Sequence, residues 1–171
     1  MQKIVTHIIR FILLILLQGL VFGQIELSWG IHPMIYPLII LLLPFETTPI
    51  VLMLVGFTAG ISVDFFMNTF GLHASAGALI GYLRPELFKL FAPRDGYDVM
   101  REPTADYLGY QWFISVSSIL IVVHHLWFFL LEYFKLSAWP FILQKTLLSS
   151  MVTLLIFILI QVFFFKKTRS Q

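Results

Sequence analysis

The sequence contains no cysteine and unusually few charged residues. Without cysteine the chain has no disulfide framework, no thiolate metal site and no cysteine nucleophile. Charged residues make up 12% of its 171 positions, whereas ordinary globular chains carry about 25%. Hydrophobic residues make up 59%, and this excess excludes a soluble globular domain, because so much apolar surface could not be hidden in one core.

Several motifs that carry chemistry are also missing. No serine lies in a G-x-S-x-G turn, and no glycine-rich phosphate loop occurs. His124 and His125 are adjacent, so they cannot supply the i, i+4 pair of a zinc-protease helix, and Glu132 lies two turns beyond His124. No basic run with interleaved aromatics indicates a nucleic-acid surface. We therefore predict no catalytic residue, no metal, no cofactor and no nucleic-acid partner, and we assign the two histidines to packing or hydrogen bonding.

The apolar residues fall into six runs. They cover about 5–22, 31–43, 49–66, 71–83, 109–131 and 138–165, and a transmembrane helix needs about 20 such residues. The sequence predicts an all-α integral membrane protein with six transmembrane helices, forming one domain over 1–171. No small-x-small cleavage signature follows the first run, which we interpret as a retained span. The second run is short and contains Pro33, Pro37 and Pro44, so we expect it to be kinked and buried among the other helices.

Basic residues mark one side of the predicted bundle. Six spans place both termini and the loop over about 84–108 on the same side, and the following residues flank them: Lys3, Arg10, Arg84, Lys89, Arg94, Arg101, Lys166, Lys167 and Arg169. The opposite side has only Lys135, and Lys145, inside the last run, is expected to extend outward. The positive-inside rule makes the termini and the loop cytoplasmic. We interpret the loop as a solvated linker, with contact to cytoskeletal partners as the alternative.

Two rows of small residues stand out in the third and fourth runs. Gly56, Gly60 and Asp64 recur every four residues, and His73, Gly77 and Gly81 repeat the pattern. Residues at this spacing share a helix face, and small ones let two backbones approach closely within a membrane. The rows are expected to pack either against each other or against a partner helix. Between them, Asn68 and Thr69 are predicted caps for the following helix, and Gly71 permits a tight turn.

Asp64 and His73 lie on either side of this turn and admit two interpretations. An ionisable residue inside a membrane suggests by default a proton relay or a ligand site. Alternatively, the two side chains form a hydrogen-bonded clasp that holds the hairpin together. We favour the clasp, because a relay needs a chain of ionisable groups and no other span offers an acidic one at mid-depth.

The hairpin resembles a known family. The stretch "VGFTAGISVDFFMNTFGLHASAGALIGYLRP" is similar to the central part of the rod shape-determining membrane protein MreD of bacteria. The matching positions are Gly56, Gly60, Asp64, Gly71, Leu72, His73 and Ala74. The downstream "APRDGYDVMREP", "LGYQWF" and "HHLWFFLLE" are similar to members with this long loop, so the resemblance covers nearly the whole chain.

The resemblance implies a non-catalytic scaffold of the cell-elongation machinery in the bacterial inner membrane. It implies binding to MreC, a single-span protein with an extracytoplasmic coiled coil. It also implies indirect association with MreB filaments, a SEDS glycosyltransferase and a penicillin-binding transpeptidase in lateral peptidoglycan synthesis. The implied fold is similar to the six-helix substrate-binding subunit of energy-coupling-factor transporters.

That fold similarity supplies an alternative function, a substrate-binding subunit of a vitamin or micronutrient transporter. Such subunits dock through an Ala-x-x-x-Ala pattern in the first helix, where this chain has only Gly19 and Gly23 at that spacing. An intramembrane enzyme is a third class, and the sequence shows neither a nucleophile nor a metal set for it.

Overall fold

The computed structural model describes residues 2–24 and 30–165, and its regular structure over these residues is helical, with no strand. The basic residues Lys166, Lys167 and Arg169 lie outside the described residues, as does the side chain of Lys3. The α-helices are α1 (Gln2–Leu20), α2 (Leu38–Leu41), α3 (Pro49–Met67), α4 (Leu72–Leu90), α5 (Ala105–Leu108), α6 (Tyr110–Tyr133) and α7 (Trp139–Phe164). Short 3₁₀ turns lie at Phe22–Gln24 and Leu136–Ala138.

Four of the described stretches are long and apolar enough to cross a membrane. They are Ile4–Gln24, Pro49–Met67, Tyr110–Tyr133 and Trp139–Phe164. The predicted all-helical class and a multi-pass membrane protein are therefore confirmed. The other two predicted spans, 31–43 and 71–83, differ from expectation in ways that reveal how the fold is built.

The predicted helix over 31–43 is wrong, because only the single turn of α2 is helical within it. Proline lacks a backbone donor and disfavours helical geometry in the residue before it, so Pro33 and Pro37 prevent a helix from forming earlier. The predicted burial is correct: the side chains from Met34 to Leu42 other than proline are at most 5% exposed. Non-helical backbone at membrane depth is tolerated when it is buried in protein in this way.

Side chains of α1 and α7 satisfy the backbone of this segment. The N–H of His32 donates to Ser149 Oγ (3.0 Å), and the N–H of Met34 donates to Thr153 Oγ1 (3.1 Å). Gln18 accepts from the N–H of Ile35 (2.6 Å) through Oε1 and donates to the carbonyl of Pro33 (3.2 Å) through Nε2. From His32 to Met34 the extended backbone advances about 6.6 Å, and from Ser149 to Thr153 helix α7 advances about 6 Å. Because these distances match, the segment runs parallel to α7.

The fourth predicted span was too short. Helix α4 continues through Arg84 and Pro85 to Leu90, so the predicted boundary at 83 and the loop start at 84 are wrong. The Arg84 side chain is fully buried and donates to the carbonyls of Leu41, Leu43 and Pro44. Leu41 is the last residue of α2 and the other two follow it, at the end of a helix where acceptors are left unpaired and a cation is favoured. The charge that ends the apolar run is thus stabilised inside the protein by backbone carbonyls, and the helix does not stop there.

The connection between α4 and α5 is more than a solvated linker. Tyr97 stacks on Phe45 with ring centroids 4.4 Å apart, and its hydroxyl donates to the carbonyl of Phe88 (2.7 Å). Trp112 Nε1 donates to the Tyr97 hydroxyl (3.2 Å). Burial raises the pKa of the Tyr97 phenol above its usual value of 10.0. The predicted linker is therefore wrong at Tyr97, while most residues on either side of it are exposed.

Candidate functional site

The backbones of α3 and α4 touch along the two predicted glycine rows. A Cβ atom added to Gly56 would lie closer than 3.0 Å to the carbonyl of Gly77, and one added to Gly77 would meet the carbonyl of Gly56 in the same way. Real Cβ atoms do not approach backbone so closely. The contact therefore requires glycine on both helices.

The same relation holds on either side of this pair. A Cβ on Gly60 would collide with the backbone of His73 and Ala74, and one on Gly81 with the carbonyl of Leu52. Of the two expectations for the glycine rows, the structure contains the internal one, in which they face each other. This is the most extensive helix–helix contact among the described residues. A partner helix could not use the same groove.

The turn between the helices depends on left-handed backbone. Asn68 (φ 55°), Phe70 (φ 47°) and Gly71 (φ 92°) all have positive φ. Asn68 ends α3, as asparagine commonly does in this conformation. The prediction that Asn68 and Thr69 cap α4 is wrong: its N-cap position is Gly71, and no side chain at that position bonds to the helix. Gly71 has the predicted role of permitting a tight turn.

Asp64 supplies the missing cap from the other helix. Its Oδ1 accepts from the N–H of His73 (3.1 Å) and from the Thr69 hydroxyl (2.5 Å), and its Oδ2 accepts from the N–H of Ala74 (2.9 Å). His73 Nδ1 lies 3.0 Å from the same Oδ1. The first N–H groups of a helix are unpaired and carry its positive dipole end, so a carboxylate is favoured there. This geometry is that of the predicted clasp.

A second polar cluster lies beneath the clasp. The Tyr36 hydroxyl donates to the carbonyl of His73 (2.8 Å) and lies 2.5 Å from His124 Nε2. His125 Nε2 lies 3.3 Å from Thr153 Oγ1, which also accepts a hydrogen bond from the N–H of Met34. All of these side chains are buried. The cluster therefore ties the non-helical segment to α4, α6 and α7 at one level of the bundle.

The arrangement is poorly suited to carrying protons through the bundle. Its connection from Asp64 and His73 to Tyr36 and His124 passes through a backbone carbonyl, which accepts a hydrogen bond but has no proton to pass on. His73 Nε2 and His124 Nδ1 are buried without a hydrogen-bond partner among the described residues. Within the same residues no group of three or more possible ligands could hold a metal ion. The hydrogen bonds fix positions rather than form a continuous path.

Lys145 behaves differently from expectation. Its side chain was predicted to extend outward, but the residue is 7% exposed. Its Nζ lies 3.8 Å from Glu132 Oε2 and 5.0–5.4 Å from the ring centres of Phe129, Tyr133 and Phe141. Cation–π contacts of this kind are strengthened by burial. The lysine thus joins α6 to α7 near the α6–α7 connection.

Sequence reasoning missed three residues that hold the bundle together: Gln18, Tyr36 and Arg84. Each stands in or at the end of an apolar run, and an isolated polar side chain there was the available signal. What could not be seen was that their partners are backbone groups of a non-helical segment, which had been predicted as a helix with its own hydrogen bonds satisfied.

No protein-family model, curated protein or solved structure matches this chain.

Proposed function

We propose that this chain is a non-catalytic scaffold of the bacterial cell-elongation machinery. In this role it binds an MreC-type single-span protein and helps to organise lateral peptidoglycan synthesis. The observation that carries the proposal is the structural role of the motif residues on which the resemblance to the MreD family rests. Gly56 and Gly60 bring two backbones together, and the polar atoms of Asp64 are engaged in capping α4. Because these motif residues pack and cap helices, their roles are structural, and this favours a scaffold over an enzyme.

The proposed topology has six crossings of the inner membrane with both termini in the cytoplasm. Support for the second crossing comes from the path of residues 30–43. This segment passes Ser149 and Thr153 of α7 in order and ends at the Arg84 side chain. It therefore passes in one direction from the middle of α7 to the buried Arg84 of α4, although little of it is helical. The distribution of lysine and arginine supports the orientation.

The proposed partners are MreC directly, and MreB filaments, a SEDS glycosyltransferase and a penicillin-binding transpeptidase indirectly. Because the glycine rows are occupied internally, the partner helix is expected on another surface. The face of α3 that carries Leu54, Phe57 and Ile61 is exposed and apolar. The α3–α4 hairpin would fix the shape of that face.

The vitamin-carrier alternative requires room for a ligand inside the bundle. Tyr36 occupies the space between α4 and α6, with its ring 5.8 Å from that of His73 and 5.2 Å from that of His124. This filling of the interior favours the scaffold.

Capture of the tagged chain in mild detergent, with identification of what accompanies it, tests the proposal. A membrane-anchored coiled-coil protein is the expected result, and a bound vitamin would support the carrier instead. Gly60→Leu should reduce capture, because it forces α3 and α4 apart, whereas Thr58→Leu on the exposed face of the same helix adds bulk without touching α4. Equal capture of the coiled-coil protein by wild type and Gly60→Leu would contradict the proposed role of the hairpin.

A further inference from the structure

A groove runs between α1, the α2 segment and the end of α7. Its volume is about 290 Å³. Apart from one arginine, its walls are leucine, isoleucine and phenylalanine side chains, among them Leu13, Leu14, Leu17, Leu38, Ile160 and Phe164. The groove shares no residue with the Asp64 clasp.

Arg10 lies at one end of this groove. Leu17 lies seven residues further along α1, which places it about 10 Å deeper at the helical rise of 1.5 Å per residue. The Arg10 guanidinium lies 4.7 Å from the ring centre of Phe165, the last described residue of the chain. The groove therefore has a cationic mouth at the chain ends and an apolar interior directed towards the middle of the bundle.

An ion pair lies at the mouth of the groove. Arg10 Nη1 is held by Glu102 Oε2 at 2.7 Å, which fixes the position of the guanidinium. In the sequence, Lys166, Lys167 and Arg169 follow immediately after Phe165. Three further basic residues thus follow, in the sequence, the phenylalanine whose ring contacts Arg10. Basic residues beside a transmembrane helix attract anionic lipid headgroups, each contributing about 1 kcal/mol.

We propose that this groove is a binding site for one anionic phospholipid. An acyl chain lies along the leucines of α1 and α7, and the phosphate lies at the mouth beside Arg10. An acyl chain suits a groove whose length is lined by apolar side chains, and Arg10 together with the basic residues that follow Phe165 in the sequence selects the anionic headgroup. Bound in this position, the lipid joins α1 to α7 across a gap that protein side chains do not fill.

Native mass spectrometry of the delipidated protein tests the proposal, with phosphatidylglycerol and phosphatidylcholine added at equal concentration. The wild type should bind phosphatidylglycerol about fivefold more tightly, as expected for one added cation near the headgroup. Leu13→Trp, which fills the groove from its open side, should abolish the tight adduct, and the smaller change Leu13→Phe should weaken it. Ile12→Trp is the matched control, because Ile12 is equally exposed on α1 but does not line the groove.

Two further variants test the mouth. Arg10→Gln should reduce the preference for phosphatidylglycerol, whereas Glu102→Gln breaks the same ion pair and should keep or increase that preference. Equal adducts in wild type and in both Leu13 variants would overturn the site. Equal binding of the two lipids by the wild type would overturn the selection by charge.

Discussion

The carboxylate of Asp64 on α3 caps α4 by accepting a hydrogen bond of 2.9 Å from the backbone N–H of Ala74. A helix is usually capped by the residue just before it. Here the capping carboxylate comes from eight residues before the first residue of α4, across a turn whose N-cap position is a glycine without a side chain. The start of α4 and the end of α3 are therefore fixed to each other, and the register of the glycine contact is set at the same point.

Asp64→Asn should lower the free energy of unfolding by about 2 kcal/mol, because the new NH₂ group replaces a charged acceptor that faces backbone donors. Loss of α-helical circular dichroism during denaturation in detergent measures it. Thr69→Val removes only one of the donors to Asp64 and should cost about 1 kcal/mol. Unchanged unfolding of Asp64→Asn would show that the clasp does not stabilise the hairpin.

A pair of threonines on α7 tests the support of the non-helical segment. Thr153 Oγ1 accepts from the N–H of Met34, whereas Thr146 Oγ1 is buried without a hydrogen-bond partner among the described residues. Thr153→Val should cost about 1–3 kcal/mol by leaving a buried donor unpaired. Thr146→Val, an identical change at a similarly buried position, should be neutral or stabilising in the same unfolding assay. Equal effects of the two substitutions would be incompatible with the hydrogen bond described from the N–H of Met34 to the Thr153 hydroxyl.

The buried phenol of Tyr97 predicts a dependence on alkaline pH. Because its folded pKa is raised above the usual 10.0, the folded state keeps a proton that the unfolded state has lost. The contribution of the buried Tyr97 phenol to the free energy of unfolding is thus complete below about pH 10 and declines as the pH rises towards the folded pKa. Melting temperatures of wild type and Tyr97→Phe, measured from pH 8 upward, should fall more steeply for the wild type above that point. Parallel curves would mean that Tyr97 is not buried as described.

A side chain should be unfavourable at both adjacent positions 70 and 71 of the α3–α4 turn, because both have positive φ. Phe70 is 98% exposed and has φ 47°, a conformation that costs a non-glycine residue about 1–2 kcal/mol. Phe70→Gly should relieve that cost and raise the melting temperature in detergent, whereas Gly71→Ala should lower it. A lower melting temperature for Phe70→Gly would indicate that the ring makes a stabilising contact in the micelle.

The sequence predicts well where apolar runs are long and uninterrupted, and α3, α6 and α7 begin and end within two residues of expectation. It also predicts the glycine rows, because a spacing of four defines a helix face without reference to a partner. It fails over 31–43, where prolines exclude a helix and the backbone is satisfied by Gln18, Ser149 and Thr153, residues distant in the chain. It fails at Arg84 for the same reason, since the carbonyls that stabilise this cation belong to another segment. A local sequence pattern predicts the conformation of its own segment, whereas these hydrogen-bond partners are distant in the chain.

The direct contact between the backbones of α3 and α4 is the central claim, and Gly56→Ala tests it most directly. One methyl group placed against the carbonyl of Gly77 should force the helices apart and reduce the free energy of unfolding by about 1–3 kcal/mol, even though alanine favours a helix more than glycine does. If Gly56→Ala instead raises the stability by the 0.5–1 kcal/mol expected of such a change in an unobstructed helix, the two backbones are not in contact.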